Sequence, residues 1–192
     1  MLAGRPIAKV SGGASGCTTS NECYSIPHGD DKYTFWDTAG LNEADDGTVS
    51  SQAAVQNLLN LVKDHGVDLL IYCIRGRLVN IIRVNYDLFW GNILRKEVPI
   101  VLVVTGLEGK ADMDGWWREN EKTIKKMKMS FDGHACITSW KGRDNRYEKE
   151  YKESAERVWK LVRERCSMPP ERPALPQKKV LEYMVGYALR SL

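Results

Sequence analysis

Two apolar runs separated by a helix-like stretch constrain the fold of this chain more than any other feature. The runs "VDLLIYCI" (67–74) and "PIVLVVT" (99–105) are almost free of polar residues, which is typical of strands buried on both faces. The stretch between them, from Val79 to Lys96, is predicted to be a helix. A helix that joins two buried strands makes them parallel, so the chain is predicted to be an α/β protein with a mostly parallel sheet.

The remaining patterns extend this α/β organisation. "ECYSI" and "KYTFWDT" are predicted to pair as an antiparallel hairpin through the turn-rich "PHGDD". Further predicted elements are helices over 50–64, 112–129 and 147–166 and a strand in "GHACITS". Residues 1–166 are therefore predicted to form a three-layer α/β domain, followed by a proline-rich linker over 167–177 and an amphipathic helix over 178–192.

Composition narrows the class of protein. A length of 192 residues, of which 28% are charged, and a net charge of +3 suit a globular domain and give no case for a nucleic-acid partner. The apolar runs are too short to be transmembrane segments. The five cysteines form no C-x-x-C pair. Cys73 and Cys136 lie inside apolar runs, which predicts reduced core thiols and a cytoplasmic protein.

Three strand ends carry the candidate site. "TFWDTAGLNE" (34–43) places Asp37 at the end of a strand, followed by Gly40. "VTGLE" places Glu108, and "TSWKG" places Ser139, at the ends of two further strands. Ligands of open α/β sheets bind beyond the carboxyl ends of the strands, so these residues are predicted to line one crevice. The structural alternative is that Asp37 and Gly40 only form a turn and that Glu108 begins a solvated loop.

The order and spacing of these motifs resemble the G domain of the P-loop GTPases, over residues 1–166. Within that class the chain looks most like fungal G-domain proteins distantly akin to septin and AIG1-type GTPases. Asp37 and Gly40 match the Asp-x-x-Gly motif that contacts magnesium through water and senses the γ-phosphate. "GCTTS" resembles the first switch, whose threonine ligates magnesium, and Thr18 is favoured over Thr19 for that role.

The resemblance also implies a guanine-reading corner. Glu108 occupies the acid position of the family's Asn-Lys-x-Asp motif, with Thr105 and Gly106 in place of its asparagine and lysine. Ser139 is the best match to the loop that closes on the base. The implied ligands are GTP or GDP together with Mg²⁺. A carboxylate accepts from both the N1 and N2 donors of guanine, which adenine does not offer.

The chain departs from the family in its phosphate loop. The family's G-x-x-x-x-G-K-S/T loop wraps the phosphates with its amides and its lysine, and no glycine-lysine-hydroxyl triplet occurs here. "MLAG" is similar to the last turn of the helix that follows this loop. The prediction is that Met1 is internal to a longer product, the alternative being a nucleotide-free relic. Leu41 stands where Ras-like enzymes carry the glutamine that orients water.

Two functions are therefore expected. The first is a guanine-nucleotide-binding switch domain with weak or absent hydrolysis, without an assigned catalytic residue, acting with a second copy or a protein effector. The alternative is a nucleotide-free pseudo-GTPase that serves as a protein interaction module. An unrelated α/β hydrolase is rejected because the chain has no G-x-S-x-G elbow.

Arginine and tryptophan pairs flank the predicted crevice. "IRGR" (74–77) places two arginines near the crevice or a dimer face. Solvent-facing roles are favoured for them, with an arginine finger as the alternative. Trp116 and Trp117 are expected to line a base pocket or a partner surface, or to pack in the core. At least one of the two tryptophans is predicted to be a core residue.

Overall fold

The chain forms an α/β structure whose larger sheet has three parallel strands and is flanked by helices. The computed structural model describes residues 1–5, 22–37 and 51–166. Two compact units, Met1–Gly66 and Val67–Leu192, are each described by themselves. Thr18, Gly40, the proline-rich linker and the C-terminal helix of the sequence prediction lie outside the described residues.

The first unit contains a hairpin and a helix. Strand β1 (Glu22–His28) pairs antiparallel with β2 (Asp31–Asp37), and helix α1 spans Ser51–His65. These elements confirm the predicted hairpin and helix. The hairpin is a two-stranded sheet of its own. Within the unit, the Trp36 ring stacks on the His65 ring with centroids 4.6 Å apart.

The second unit holds the parallel sheet. Its strand order is β3-β4-β5, and both strand pairs are parallel. The elements are β3 (Leu70–Arg75), α2 (Asn80–Tyr86), a π-helix (Asp87–Ile93), β4 (Ile100–Thr105), α3 (Gly115–Lys126), β5 (Gly133–Cys136) and α4 (Glu148–Cys166).

Central strand β4 behaves as its sequence predicts. Its first five residues, Ile100 to Val104, are all buried, because β4 has a paired strand on each side and packed helices over its faces. Each Å² of apolar surface that is removed from water stabilises the fold by about 25 cal/mol. An uninterrupted apolar run is therefore the expected sequence for a strand that is buried on both faces.

Strand β3 differs from its prediction. Tyr72 and Ile74 are buried, whereas Cys73 and Arg75 are exposed, so only one face of β3 is covered. The expectation of burial on both faces, with Cys73 as a core thiol, was wrong. Which faces of a strand are covered depends on the segments that pack over it, and the apolar run of β3 does not specify those segments. Cys136, on β5, is fully buried as predicted.

The helix predicted from Val79 to Lys96 is divided into α2 and a π-helix. In the π-helix the Leu94 N–H donates to the Phe89 carbonyl oxygen at 2.9 Å, a step of five residues instead of four. Arg95 and Lys96 then adopt positive φ values of 54° and 60° and end the helical segment before Val98 leads into β4. Apolar spacing alone does not distinguish this π-helical widening from a continuous α-helix.

Two side chains of α2 tie it to the end of α3. The Arg83 guanidinium donates to the carbonyl oxygens of Met127 and Lys128. The buried Tyr86 hydroxyl donates to the Ser130 carbonyl oxygen at 2.9 Å and accepts from the Ser130 N–H at 3.0 Å. These bonds satisfy backbone groups of the segment that follows α3.

Replacing Tyr86 with phenylalanine is expected to lower the free energy of unfolding by about 1–2 kcal/mol, because both backbone groups of Ser130 lose their partner. Chemical denaturation monitored by circular dichroism measures the loss. Tyr151→Phe is the matched control, because the structure records a ring contact of Tyr151 with Lys141, which phenylalanine keeps. Equal loss in the two variants would contradict the role assigned to the Tyr86 hydroxyl.

Candidate functional site

The carboxyl ends of β3, β4 and β5 lie along one edge of the parallel sheet. Each strand is followed there by a loop: residues 76–79 after β3, 106–114 after β4 and 137–142 after β5. This is the edge at which open α/β sheets bind ligands. The side chains that leave it are therefore the first place to look for a site in the second unit.

Glu108 and Thr138 meet at the ends of β4 and β5. The Thr138 Oγ1 lies 3.5 Å from the Glu108 Oε2, and the Thr138 hydroxyl also donates to the Trp140 carbonyl oxygen at 2.9 Å. A hydroxyl has one proton to donate, so the half-buried Glu108 carboxylate keeps acceptor capacity for other donors. The arrangement presents a carboxylate at the rim of the strand-end edge.

Thr138 is held in place by a hydrogen bond to helix α4. It is fully buried, and its N–H donates to the Oγ of Ser154 on α4 at 3.2 Å. Its hydroxyl also accepts from the Trp140 N–H at 3.3 Å, which closes a tight turn at residues 138–140. The Trp140 side chain is 55% exposed at this turn. A rigid polar anchor with an exposed indole beside it is a suitable rim for a flat ligand.

Sequence reasoning placed Ser139 at this corner and missed its neighbour. Ser139 is exposed and follows directly after Thr138, the residue that contacts Glu108. The contact itself belongs to Thr138. The segment "TSWKG" contains both hydroxyl residues. Side chains alternate along a strand, so Thr138 lies on the same buried side as Cys136, and this pattern would have identified it.

Thr105 and Gly106 connect the end of β4 to Glu108. The Thr105 hydroxyl donates to the Ile74 carbonyl oxygen on β3 at 3.3 Å, so this hydroxyl serves the sheet. Gly106 has a φ of +76°, a conformation that favours glycine, and Leu107 is buried in the core. The left-handed turn at Gly106 and the anchored Leu107 together direct Glu108 toward β5.

The predicted magnesium residues belong to the other unit or to undescribed positions. Asp37 is exposed and ends β2, where it pairs with Glu22 of β1. Thr18 and Gly40 lie outside the described residues. Within residues 1–5, 22–37 and 51–166, no group of three or more His, Cys, Asp or Glu side chains is arranged to hold a metal ion. The convergence of Asp37 with the other strand ends, and its magnesium, stay predictions.

Cys136 lies one residue before the loop that carries Thr138, and its thiol is unsuited to nucleophilic chemistry. Burial raises the pKa of Cys136 to about 11, and the Asp114 carboxylate acts in the same direction. A thiol with such a pKa stays protonated at neutral pH, and the thiolate is the reactive form. The Cys136 thiol is therefore assigned to core packing, and the polar groups at the described strand ends are the Glu108 carboxylate and the Thr138 hydroxyl.

The chain was compared with known proteins. No protein-family model matches it, and no curated protein matches it. Among the helices of the part of the chain that the structure describes, none is long and apolar enough to cross a bilayer. A function for this chain is therefore inferred from the residues at the strand ends and from the sequence motifs that contain them.

Proposed function

We propose that this chain is a guanine-nucleotide-binding domain of the Ras-like P-loop class, with weak or absent hydrolysis. The observation that supports the proposal is the half-buried Glu108 carboxylate, which adjoins Thr138 at neighbouring ends of parallel strands. The motif order of the sequence adds to it. A parallel sheet with flanking helices is compatible with the Ras-like topology.

Glu108 is the residue that selects the base. Its two carboxylate oxygens accept from the N1–H and the N2 amino group of guanine at once. Adenine presents an acceptor at N1, which a carboxylate repels. A site that is built to accept hydrogen bonds rejects a ligand that lacks the donors, because its polar group then stays unpaired.

An equilibrium titration tests the proposal. GDP, GTP and ATP are added to the purified chain, with magnesium or with a chelator, and binding is followed by NMR line shapes and Trp fluorescence. Guanine nucleotides are expected to bind at least about ten-fold more tightly than ATP, since each tenfold corresponds to about 1.4 kcal/mol. Binding is expected to be weak, because the sequence has no G-K-S/T triplet to hold the phosphates. Equal affinity for ATP and GTP would refute the base assignment.

An exposed apolar patch favours a second candidate function. Val79, Ile81 and Val84, at the start of α2 and along it, are 36–44% exposed. Apolar side chains grouped on one surface helix mark contacts with other proteins more often than single exposed ones do. A folded chain that binds none of the nucleotides in the titration would support this function, a protein interaction module that does not use nucleotide.

A further inference from the structure

We propose that Arg75 is the phosphate-binding cation of the strand-end site. This inference rests on the proposed function, since it names the residue that contacts the charged part of the same nucleotide. It depends on the placement of one side chain at the end of β3, on the strand order, and on the separation of opposite charges along one edge of the sheet.

The side chain of Arg75 lies over Gly106. A Cβ atom built at Gly106 would meet the Arg75 Cγ at 2.9 Å and the Nε at 3.2 Å. The three heavy atoms nearest to that position all belong to Arg75. The side chain of Arg75 therefore occupies the space that any other residue at position 106 would fill, and it lies against the loop that leads to Glu108.

The backbone that carries Arg75 is held firmly. Arg75 is paired with Thr105 in the parallel register, and the following N–H, of Gly76, donates to the Thr105 carbonyl oxygen at 2.9 Å. The Gly76 carbonyl oxygen accepts from the indole Nε1 of Trp116 at 3.0 Å. The Arg75 side chain is therefore attached to a well-held backbone position at the ligand-binding edge of the sheet.

Strand order separates the two charges. Glu108 follows β4 and contacts the β5 side through Thr138, whereas Arg75 ends β3 and contacts the β4 side through Gly106. Arg75 and Glu108 do not form an ion pair with each other, and Arg75 forms none with any other described residue. The edge therefore presents an acceptor on its β5 side and a cation on its β3 side.

This polarity orients the ligand. A molecule that spans the edge presents hydrogen-bond donors to Glu108 and an anionic group to Arg75, as a guanine nucleotide does when its base lies toward β5 and its phosphates toward β3. The planar guanidinium suits this role because it donates two parallel hydrogen bonds to phosphate oxygens. Arg75 is exposed, so its guanidinium is open to such a ligand.

The test compares ligands that share the base and differ in charge. Guanosine, GMP and GDP are titrated into the wild-type chain, Arg75→Ala and Arg75→Lys. Arg75→Ala is expected to weaken GDP binding about ten-fold, which is typical of one lost charge-assisted hydrogen-bonded contact. Guanosine binding is expected to change less than about three-fold in the same variant, and Arg75→Lys is expected to fall between it and the wild type because it keeps the charge.

Arg77→Ala is the matched control. Arg77 is an exposed arginine two residues after Arg75, in the loop that follows β3, so its removal changes net charge equally. It is expected to leave all three ligands within about three-fold of wild-type affinity if contact, and not general charge, determines binding. Equal melting temperatures of the variants show that each is folded.

The outcomes separate this inference from the proposed function. If the wild type binds guanosine and GDP, but Arg75→Ala weakens neither or weakens both equally, Arg75 does not bind phosphate and the base assignment stands. An effect of Arg77→Ala as large as that of Arg75→Ala overturns the inference in favour of non-specific charge. If the wild type binds no guanine compound, the proposed function fails and the role of Arg75 fails with it.

Discussion

Replacing Glu108 with alanine is expected to weaken guanine-nucleotide binding by about 100-fold or more. The carboxylate makes two charge-assisted hydrogen bonds to the base in the proposed complex, and each contributes roughly 1.5–3 kcal/mol. Affinity for ATP is expected to change little or to rise, because the carboxylate no longer repels the N1 acceptor of adenine. The same NMR titration that defines wild-type selectivity measures both changes.

Glu108→Gln distinguishes recognition from simple contact. An amide has almost the shape of the carboxylate but presents one acceptor and one donor, so it satisfies at most one of the two guanine donors. Its guanine affinity is therefore expected to be close to that of Glu108→Ala. A glutamine variant with wild-type affinity would show that Glu108 does not accept from the base.

Glu97→Ala is the matched control for the loss of a carboxylate. Glu97 is exposed and precedes β4, whereas Glu108 follows it, so the length of the strand separates the two positions. Its removal is expected to leave nucleotide affinity unchanged. A similar loss in both variants would assign the effect to net charge and contradict a specific role for Glu108.

The sequence predicted the part of the fold that depends on local patterns. The apolar run of β4 identified a strand buried on both faces, and the spacing of apolar residues located α1, α3 and α4 to within a few residues. Helix α3 begins only at Gly115, three residues later than predicted, because the Asp112 carboxylate accepts from the Gly115 N–H at 3.1 Å and holds the segment before it in a turn.

What the sequence did not predict depends on contacts between distant segments. The apolar run of β3 is as continuous as that of β4, yet Cys73 is exposed, because the segments that pack over a strand decide which of its faces are covered. Apolar spacing is likewise the same for an α-helix and for the short π-helix that ends at Ile93. Local composition holds no information on either property.

The candidate site divides in the same way. Glu108 was found because an acid at the end of a buried strand is visible in the sequence. The sequence placed Arg75 near the crevice but did not distinguish it from Arg77, and it missed the contact of Thr138. Both contacts are made with neighbours that are distant in the chain, Glu108 for Thr138 and Gly106 for Arg75. A lone hydroxyl or arginine after a strand has no special meaning until the strand order is known.

Trp116 is the core residue whose loss is expected to be most damaging. Its side chain is 3% exposed and packs with Ile74, Leu107 and other buried residues, while its indole N–H donates to the Gly76 carbonyl oxygen. The prediction that at least one tryptophan of the pair belongs to the core is confirmed. Trp116→Ala is expected to lower the free energy of unfolding by about 3–5 kcal/mol, from the cavity and the lost hydrogen bond.

Trp117→Ala is the matched comparison for that loss. Trp117 is half-buried and stacks on the His134 ring with centroids 3.9 Å apart, so its removal leaves no closed cavity and is expected to cost about 1–2 kcal/mol. Urea denaturation of both variants gives the two free energies. Equal losses would show that Trp116 is not the anchor of this core.

The Trp116 variant also connects stability with the site. The indole holds the carbonyl oxygen of Gly76, the residue that follows Arg75 at the edge of the sheet. A folded stability of about 5–15 kcal/mol leaves some Trp116→Ala protein folded at low temperature. In that protein GDP affinity is expected to fall more than guanosine affinity. Trp116 holds the Gly76 carbonyl oxygen beside Arg75 directly, whereas it reaches Glu108 only through the packing of Leu107. Unchanged GDP binding in the folded variant would mean that Gly76 does not position Arg75.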